Sequence, residues 1–182
     1  MHNLILVFYL ISISCGFYSM AGSIPPHIKS IAIPLMDNQT AEFELAENIT
    51  DGILEQFNEA GILYVTNAGM ANSILKGTIK KVSEGPYTYS KQESISEYRY
   101  KIDVKIEWFD VQEKKNLFEK TYSAFGAYGV SGNIASDGID NDNDGRIDND
   151  DDDEFGEPRS FATKVAVSKI AEDILNDIMT TW

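Results

Sequence analysis

Hydrophobic and polar residues alternate most regularly between positions 98 and 109. The hydrophobic members are Tyr98, Tyr100, Ile102, Val104, Ile106 and Trp108, and each residue between them is charged. This period of two predicts a β-strand with one buried face and one hydrated face. A polar turn at 112–116 precedes a second hydrophobic segment at 117–125, so we expect an antiparallel pair of strands.

Three further segments predict shorter strands. In 28–34, Ile31 and Ile33 lie on one face, and in 73–82, Leu75, Gly77 and Ile79 do the same. The segment 62–65 predicts a short strand. The polar residues 37–40 predict a turn.

A period of about four predicts two helices. Leu45, Ile49, Ile53 and Phe57 are spaced four apart, which indicates an amphipathic helix over 44–60 with Gly61 as its stop signal. A second hydrophobic stripe predicts a C-terminal helix at about 160–179 and consists of Val167, Ile170, Ala171, Ile174 and Ile178.

The order of these elements indicates an α+β fold. We expect a two-layer sandwich, with a mostly antiparallel sheet of about four strands and two helices on one face. The chain has 182 residues, of which 43% are hydrophobic and 24% charged, as in a folded protein of one domain. The domain is predicted to span 28–182.

The N-terminal segment has the features of an export signal. Leu4–Ile13 is an apolar run of ten residues, shorter than the roughly 20 that a membrane-spanning helix needs. The single cysteine, Cys15, follows it and predicts a lipoprotein signal at 1–14, a lipidated Cys15 and a tether at 15–27. Gly16 in place of Asp favours an outer-membrane anchor on the periplasmic face. An ordinary cleaved signal and a buried N-terminal strand are the alternatives, because the segment before the run has no Lys or Arg.

Most of the negative charge lies in one predicted loop. The formal net charge is -14, and the segment 137–157 has eleven acidic residues and one basic residue. A chain this acidic is not expected to bind nucleic acid, since such binding depends on Lys and Arg. We interpret 131–158 as an acidic insertion in the domain.

Part of this insertion has the pattern of a calcium-binding loop. Asp140, Asp142 and Asp144 alternate before Gly145, and the same register continues through the Arg146 carbonyl, Asp148 and Asp151. Such oxygens suit Ca²⁺, and the pattern resembles the Asp-rich loops of thrombospondin type-3 repeats, with a dissociation constant of about 10⁻⁴–10⁻³ M. The alternative is a solvated acidic loop that binds ions only diffusely.

The side chains that most enzymes use are scarce. There are two histidines, His2 and His27, and one cysteine. We therefore expect no zinc site, no catalytic triad and no required cofactor, with Ca²⁺ as the one candidate ion. A carboxylate-based hydrolase stays open, although no pair of acids stands out.

Several short motifs resemble one family of envelope lipoproteins. They are Cys15-Gly16, the segment PPHIKSIAIP at 25–34, Asn38-Gln39-Thr40, LKGTI at 75–79, and the strand at 98–108. In this order they resemble the LptE family of lipopolysaccharide-assembly lipoproteins. The resemblance implies a non-enzymatic plug within an LptD-like outer-membrane β-barrel, with lipopolysaccharide as the transported molecule.

Lysines near predicted turns are candidates for contacts with this phosphorylated glycolipid. They are Lys80, Lys81, Lys91, Lys114 and Lys115. The aromatic segment at 86–89, expected in a loop, is a candidate contact for the barrel or for acyl chains. Periplasmic lipoproteins of the LpoB and CsgG types share part of the pattern, so a regulator or a secretion component is the alternative function, as is a calcium-stabilised binding module.

Overall fold

The computed structural model describes residues 24–130, 138, 140, 145–147 and 157–180. This part of the chain has six strands and two helices. In chain order they are β1 (Ser30–Ala32), β2 (Asp37–Asn38), α1 (Leu45–Ala60), β3 (Tyr64–Val65), β4 (Ser73–Tyr89), β5 (Ile95–Asp110), β6 (Lys115–Gly129) and α2 (Pro158–Thr180). The predicted α+β class and both predicted helices are confirmed.

The sheet is mixed and has six strands in the described residues, so the expectation of about four mostly antiparallel strands was inexact. Its order is β3-β1-β4-β5-β6, and β2 pairs with β4 beside β1. The strands β4, β5 and β6 are antiparallel, whereas β1, β2 and β3 all pair in parallel. Parallel pairing follows from the connection, because α1 carries the chain back across the sheet between β1 and β3.

The long strands extend beyond their predicted bounds. Strand β4 has 17 residues and continues through Tyr89, so the aromatic segment at 86–89 lies in a strand and not in a loop. Its own pattern becomes polar after Val82, but β5 remains its partner as far as Tyr89, which pairs with Ile95. Backbone pairing with a neighbour, and not the local hydrophobic pattern, therefore determines where β4 ends.

The segment predicted as a polar turn at 37–40 was partly wrong. Asp37 and Asn38 form β2, which pairs in parallel with Thr78 and Ile79. The turn follows at Asn38, whose side-chain oxygen accepts hydrogen bonds from the Thr40 N–H and hydroxyl at 2.9 and 2.8 Å.

Both helices cover the same face of the sheet. The even-numbered residues of β5 from Tyr100 to Trp108 are buried beneath them, at 0–1% exposure. The odd-numbered residues between them are charged and partly exposed. The one-sided burial expected from the alternation is thus confirmed, and the other face of β4, β5 and β6 is called the open face below.

Three glycines permit close contacts, and two of these contacts involve a helix. At Gly126, a Cβ atom would lie 2.1 Å from the Ala162 carbonyl oxygen, so α2 crosses β6 directly on its backbone. At Gly52, a Cβ would lie 2.8 Å from Val167 Cγ1, which sets the spacing of α1 and α2. At Gly77, the space of a side chain is filled by the Met36 sulfur. The glycine of the LKGTI motif thus has a packing role.

The predicted signal, the lipidated Cys15 and most of the tether lie outside the described residues. Within the described part of the chain, neither helix is both long enough and apolar enough to span a bilayer. The Ile28 N–H donates a hydrogen bond to the Pro25 carbonyl at 2.8 Å. A turn therefore leads directly into β1.

Candidate functional site

The open face has a cross-strand network of charges at its centre. The Lys105 ammonium lies 2.8 Å from Glu107 and 2.8 Å from Glu119, which stand directly opposite each other on β5 and β6. The hydrogen bonds that Lys105 donates to Glu107 and Glu119 raise the pKa of Lys105, and the same bond to Glu107 lowers the pKa of that carboxyl. Lys101 and Asp103 add a pair at 3.3 Å. Two lysines thus face three acids, so the centre is polar and these five residues have a net charge of -1.

Aromatic rings flank this network at one end of the open face. The Arg99 guanidinium lies 5.8 Å from the Tyr87 ring centre and 5.5 Å from that of Phe125. The two rings are 5.4 Å apart and tilted by 59°. Such cation–π contacts hold an arginine in place while leaving its edge polar. This end, where the turn 90–94 joins β4 to β5, is called the hairpin end.

On the helix face, Arg159 connects three elements near the hairpin end. It donates to Glu42 at 2.8 and 3.4 Å and to Glu84 at 3.0 Å, and it lies 4.7 Å from the Tyr100 ring centre. The hydrogen bond with Glu42 raises the pKa of Arg159, while burial and the Glu42 carboxylate raise the pKa of Tyr100. Glu42, Tyr100 and Arg159 line a groove of about 780 Å³ between α1 and α2.

The opposite end of the sheet contains a buried carboxylate. Asp110 is fully buried and lies 2.6 Å from His27 Nε2, while its second oxygen accepts hydrogen bonds from the N–H groups of Gln112 and Glu113 at 2.9 and 3.0 Å. Burial raises the pKa of Asp110, but these hydrogen bonds outweigh it and hold the pKa below its usual value. The chain enters the domain here, so the end with the turn 111–114 is called the entry end.

The five candidate lysines are not brought together. Lys80 and Lys81 lie in the middle of β4, not near a turn, and Lys80 donates to Gln39 at 2.8 Å. Lys91 lies at the hairpin end, whereas Lys114 and Lys115 lie at the entry end. A strand rises about 3.3 Å per residue, so the length of β4 separates the two ends by about 50 Å.

The predicted calcium loop lies mainly outside the described residues, and calcium binding stays a prediction. Asp142, Asp144, Asp148 and Asp151 are not described, while Asp140, Gly145 and Arg146 are. The Gly145 N–H donates to Asp140 Oδ2 at 3.0 Å, and Gly145 has a φ of 98°, which favours glycine. Among the described residues, no group of three or more His, Cys, Asp and Glu is arranged to hold a metal.

Two clusters were not predicted from the sequence. Arg159 contacts Glu42, which is 117 positions away in the chain, and Glu84, which is 75 positions away. No local sequence pattern connects these residues. Asp110 could be recognised from the sequence. The alternation that buries the even-numbered residues of β5 also places this carboxylate at a buried position. Extending the alternation by one step would have identified it.

The motif resemblance is now supported over nearly the whole domain. A family model described as LptE, lipopolysaccharide-assembly, matches residues 28–181. The chain belongs to the LptE family. The match includes both helices and every described strand, and family membership is consistent with a place in the bacterial cell envelope. LptE proteins are assembly lipoproteins, not a family of enzymes.

Solved structures share the LptE-like fold at low sequence identity. A protein from Xanthomonas campestris has a TM-score of 0.54 at 8% identity, covering 87% of this chain and 90% of that one. A Chlamydia trachomatis protein has a TM-score of 0.52 at 12% identity, covering 84% and 96%. A proposed lipoprotein from Caulobacter crescentus has a TM-score of 0.51 at 8% identity, covering 84% and 90%. No curated protein sequence matches significantly.

Proposed function

We propose that this chain is a non-enzymatic assembly partner of an LptD-like β-barrel and assists the delivery of lipopolysaccharide to the outer membrane. In this proposal it is anchored through Cys15 to the periplasmic face of the outer membrane and sits partly inside the barrel. Membership of the LptE family supports the process, and the barrel partnership is the step that we add.

The observation that carries the proposal is the one-sided sheet. Both helices bury one face, whereas the centre of the open face is polar and aromatic rings lie at its hairpin end. Its central charges already have partners of opposite sign, as Lys105 has in Glu107 and Glu119. The lumen of an outer-membrane barrel is also polar and hydrated, so such a face can lie against it without exposing apolar surface.

The proposed glycolipid contacts fall into three separate places. Lys91 is at the hairpin end, Lys80 and Lys81 are central, and Lys114 with Lys115 is at the entry end. One phosphorylated headgroup cannot meet both ends of a sheet that is about 50 Å long. The hairpin end also has Arg99, held between Tyr87 and Phe125, and is the place that we favour for a phosphate near acyl chains.

The decisive experiment is purification of the chain with its own signal from detergent-solubilised outer membranes. Mass spectrometry then identifies the proteins that co-purify. A large β-barrel recovered in stoichiometric amount supports the proposal. Recovery of the chain alone contradicts it, and recovery with a peptidoglycan synthase favours the regulator.

A pair of variants tests whether the open face makes the contact. Thr121→Arg adds a long charged side chain to an exposed open-face position of β6, opposite Lys105. Lys169→Glu changes an exposed residue on the outer side of α2 and serves as the control. We expect Thr121→Arg to reduce barrel recovery several-fold with little change in thermal stability. Equal recovery for both variants would exclude the open face as the contact.

A further inference from the structure

The outer side of helix α1 is acidic along its whole length. Five exposed acids occupy it and its N-cap position: Glu44, Glu47, Asp51, Glu55 and Glu59. The last four are spaced four residues apart, so they are neighbours on the helix surface and repel one another. Glu59 also lies in the last turn, where the helix dipole disfavours a negative charge. The stability of the helix alone therefore does not account for this acidic stripe.

This acidity is a local feature of the segment 41–61. The segment has six acids and no Lys, Arg or His. Outside this segment and the insertion at 137–157, the chain has 12 acids and 14 bases, a net of +2. Among the described residues, Glu42 is the one acid of the six that belongs to an ion pair, with Arg159. The stripe thus presents negative charge that the fold does not neutralise.

The stripe forms one rim of the groove between α1 and α2. Asp51 and Glu55 line the groove from α1, and Lys164 lines it from α2. Its inner part includes the buried side chains of Leu45 and Val167. A groove that is apolar inside and charged at its rim is the kind of surface into which a segment of another protein docks.

An exposed aromatic ring lies at the same groove. Phe43 lines it and is 95% exposed, more than any other large hydrophobic residue in the described part of the chain. Its neighbour Glu42 is held on both sides: the carbonyl accepts a hydrogen bond from the Asn38 amide at 2.7 Å, and the carboxylate pairs with Arg159. The ring therefore extends from a fixed backbone, as an anchor for an apolar side chain of a partner does.

We propose that this groove is a docking site for a Lys/Arg-rich segment of a partner protein, whose cations lie along the acidic stripe and one of whose apolar side chains packs on Phe43. Charge complementarity selects this occupant. The acidic insertion of the chain and a phosphorylated glycolipid are both anionic, so the stripe repels them. The groove lies on the helix side of the sheet, which leaves the open face to a barrel lumen, and the docking does not depend on the barrel partnership.

Fluorescence anisotropy of the full chain with two labelled peptides tests the site. One peptide has lysines and arginines around a central leucine, and the other has serine in place of that leucine. Asp51→Asn with Glu55→Gln removes two charges from the groove, whereas Glu172→Gln with Asp173→Asn removes two from exposed positions of α2 outside it. We expect the groove variant to weaken binding of the leucine peptide about fivefold, and the control by less than about twofold.

Two further measurements separate docking from folding and from charge alone. The groove variant should unfold at the same temperature as the wild type or at a higher one, because it removes repulsion between neighbouring carboxylates. Phe43→Ser should weaken binding of the leucine peptide but not of the serine peptide. Tyr64→Ser should change neither, since Tyr64 is 74% exposed and lies outside the groove.

Equal weakening by the two double variants would show that the peptides respond only to net charge, and would overturn the proposal. Failure of both peptides to bind, or an unchanged affinity in Phe43→Ser, would overturn it as well. In cells, a photo-crosslinking phenylalanine analogue at position 43 should join the chain to a Lys/Arg-rich protein segment. A cross-link to an uncharged or acidic segment, to lipopolysaccharide or to nothing contradicts the proposal. Barrel recovery is measured separately, and its loss with docking retained rejects the barrel partnership alone.

Discussion

His27 and Asp110 are 83 positions apart in the chain, and His27 Nε2 lies 2.6 Å from Asp110 Oδ2. Asp110 is fully buried and also caps the turn between β5 and β6. One side chain therefore joins the first described segment of the chain to the long antiparallel strands. The contact determines from which end of the sheet any N-terminal anchor extends.

We expect Asp110→Ala to lower the free energy of unfolding by about 1–3 kcal/mol, because two backbone N–H groups and His27 lose their acceptor. Urea denaturation measures the change. Asp103→Ala is the matched control, since Asp103 is a partly exposed carboxylate of the same strand, paired with Lys101. Asp103→Ala should lower the free energy of unfolding by at most about 1 kcal/mol. Equal costs would show that burial of Asp110 contributes nothing.

The stabilisation from Asp110 should depend on pH. Its pKa is lower in the folded protein than in the unfolded chain, so its ionised form favours folding. This contribution is present above the unfolded pKa of about 3.9 and is lost as the pH falls through the folded value. The difference in unfolding free energy between the wild type and Asp110→Asn should therefore shrink below about pH 4. A difference that is constant from pH 7 to pH 3 would contradict the assignment.

Gly126→Ala should destabilise the domain by about 1–3 kcal/mol, because the added Cβ would meet the backbone of Ala162 and push α2 away from β6. Gly85→Ala is the control, since nothing lies within 4 Å of the Cβ position there. Thermal and urea unfolding should show a clear loss of stability for Gly126→Ala and little loss for Gly85→Ala. A neutral Gly126→Ala would mean that α2 is not packed so closely on the strand.

Arg159 should couple energetically to Glu42. In a double-mutant cycle with Arg159→Lys and Glu42→Gln, we expect a coupling of about 0.5–1 kcal/mol, modest because both side chains are partly exposed. Lysine at position 159 keeps the positive charge, but it loses the bidentate hydrogen bonding of the guanidinium with the Glu42 carboxylate. Glu55→Gln, in the same groove, provides the control cycle and should show no coupling.

The sequence predicted those parts of the fold that have a strict period. The alternation in β5 identified its buried residues because one face of that strand is dry and the other wet, and the four-residue spacing identified α1 for the same reason. The sequence did not predict the length of β4 or the pairing of β2. Backbone hydrogen bonds to a neighbouring strand hold the end of β4 and all of β2 in place, and such bonds impose no hydrophobic pattern.

The candidate sites were harder to predict than the fold. The five candidate lysines were predicted to lie near turns. Different turns of one sheet can be far apart, and Lys91 and Lys115 lie at its opposite ends. The Arg159 contacts depend on how α2 crosses β6, which Gly126 permits and which no spacing reveals. Asp110 alone could have been found, by continuing the alternation of β5.

Calcium should bind to the acidic insertion with a dissociation constant of about 10⁻⁴–10⁻³ M, if the Asp140 pattern forms the predicted loop. The described fragment is compatible with this, since the Gly145 N–H donates to Asp140 as in a tight turn. Titration with Ca²⁺ to several millimolar should raise the melting temperature and protect the insertion from protease, because the ion offsets the repulsion among its carboxylates. Asp142→Asn with Asp144→Asn should weaken both effects, whereas Asp37→Asn, an exposed acid on β2, should not. If neither the melting temperature nor the cleavage rate responds to Ca²⁺, the insertion is a solvated acidic loop and the predicted site does not exist.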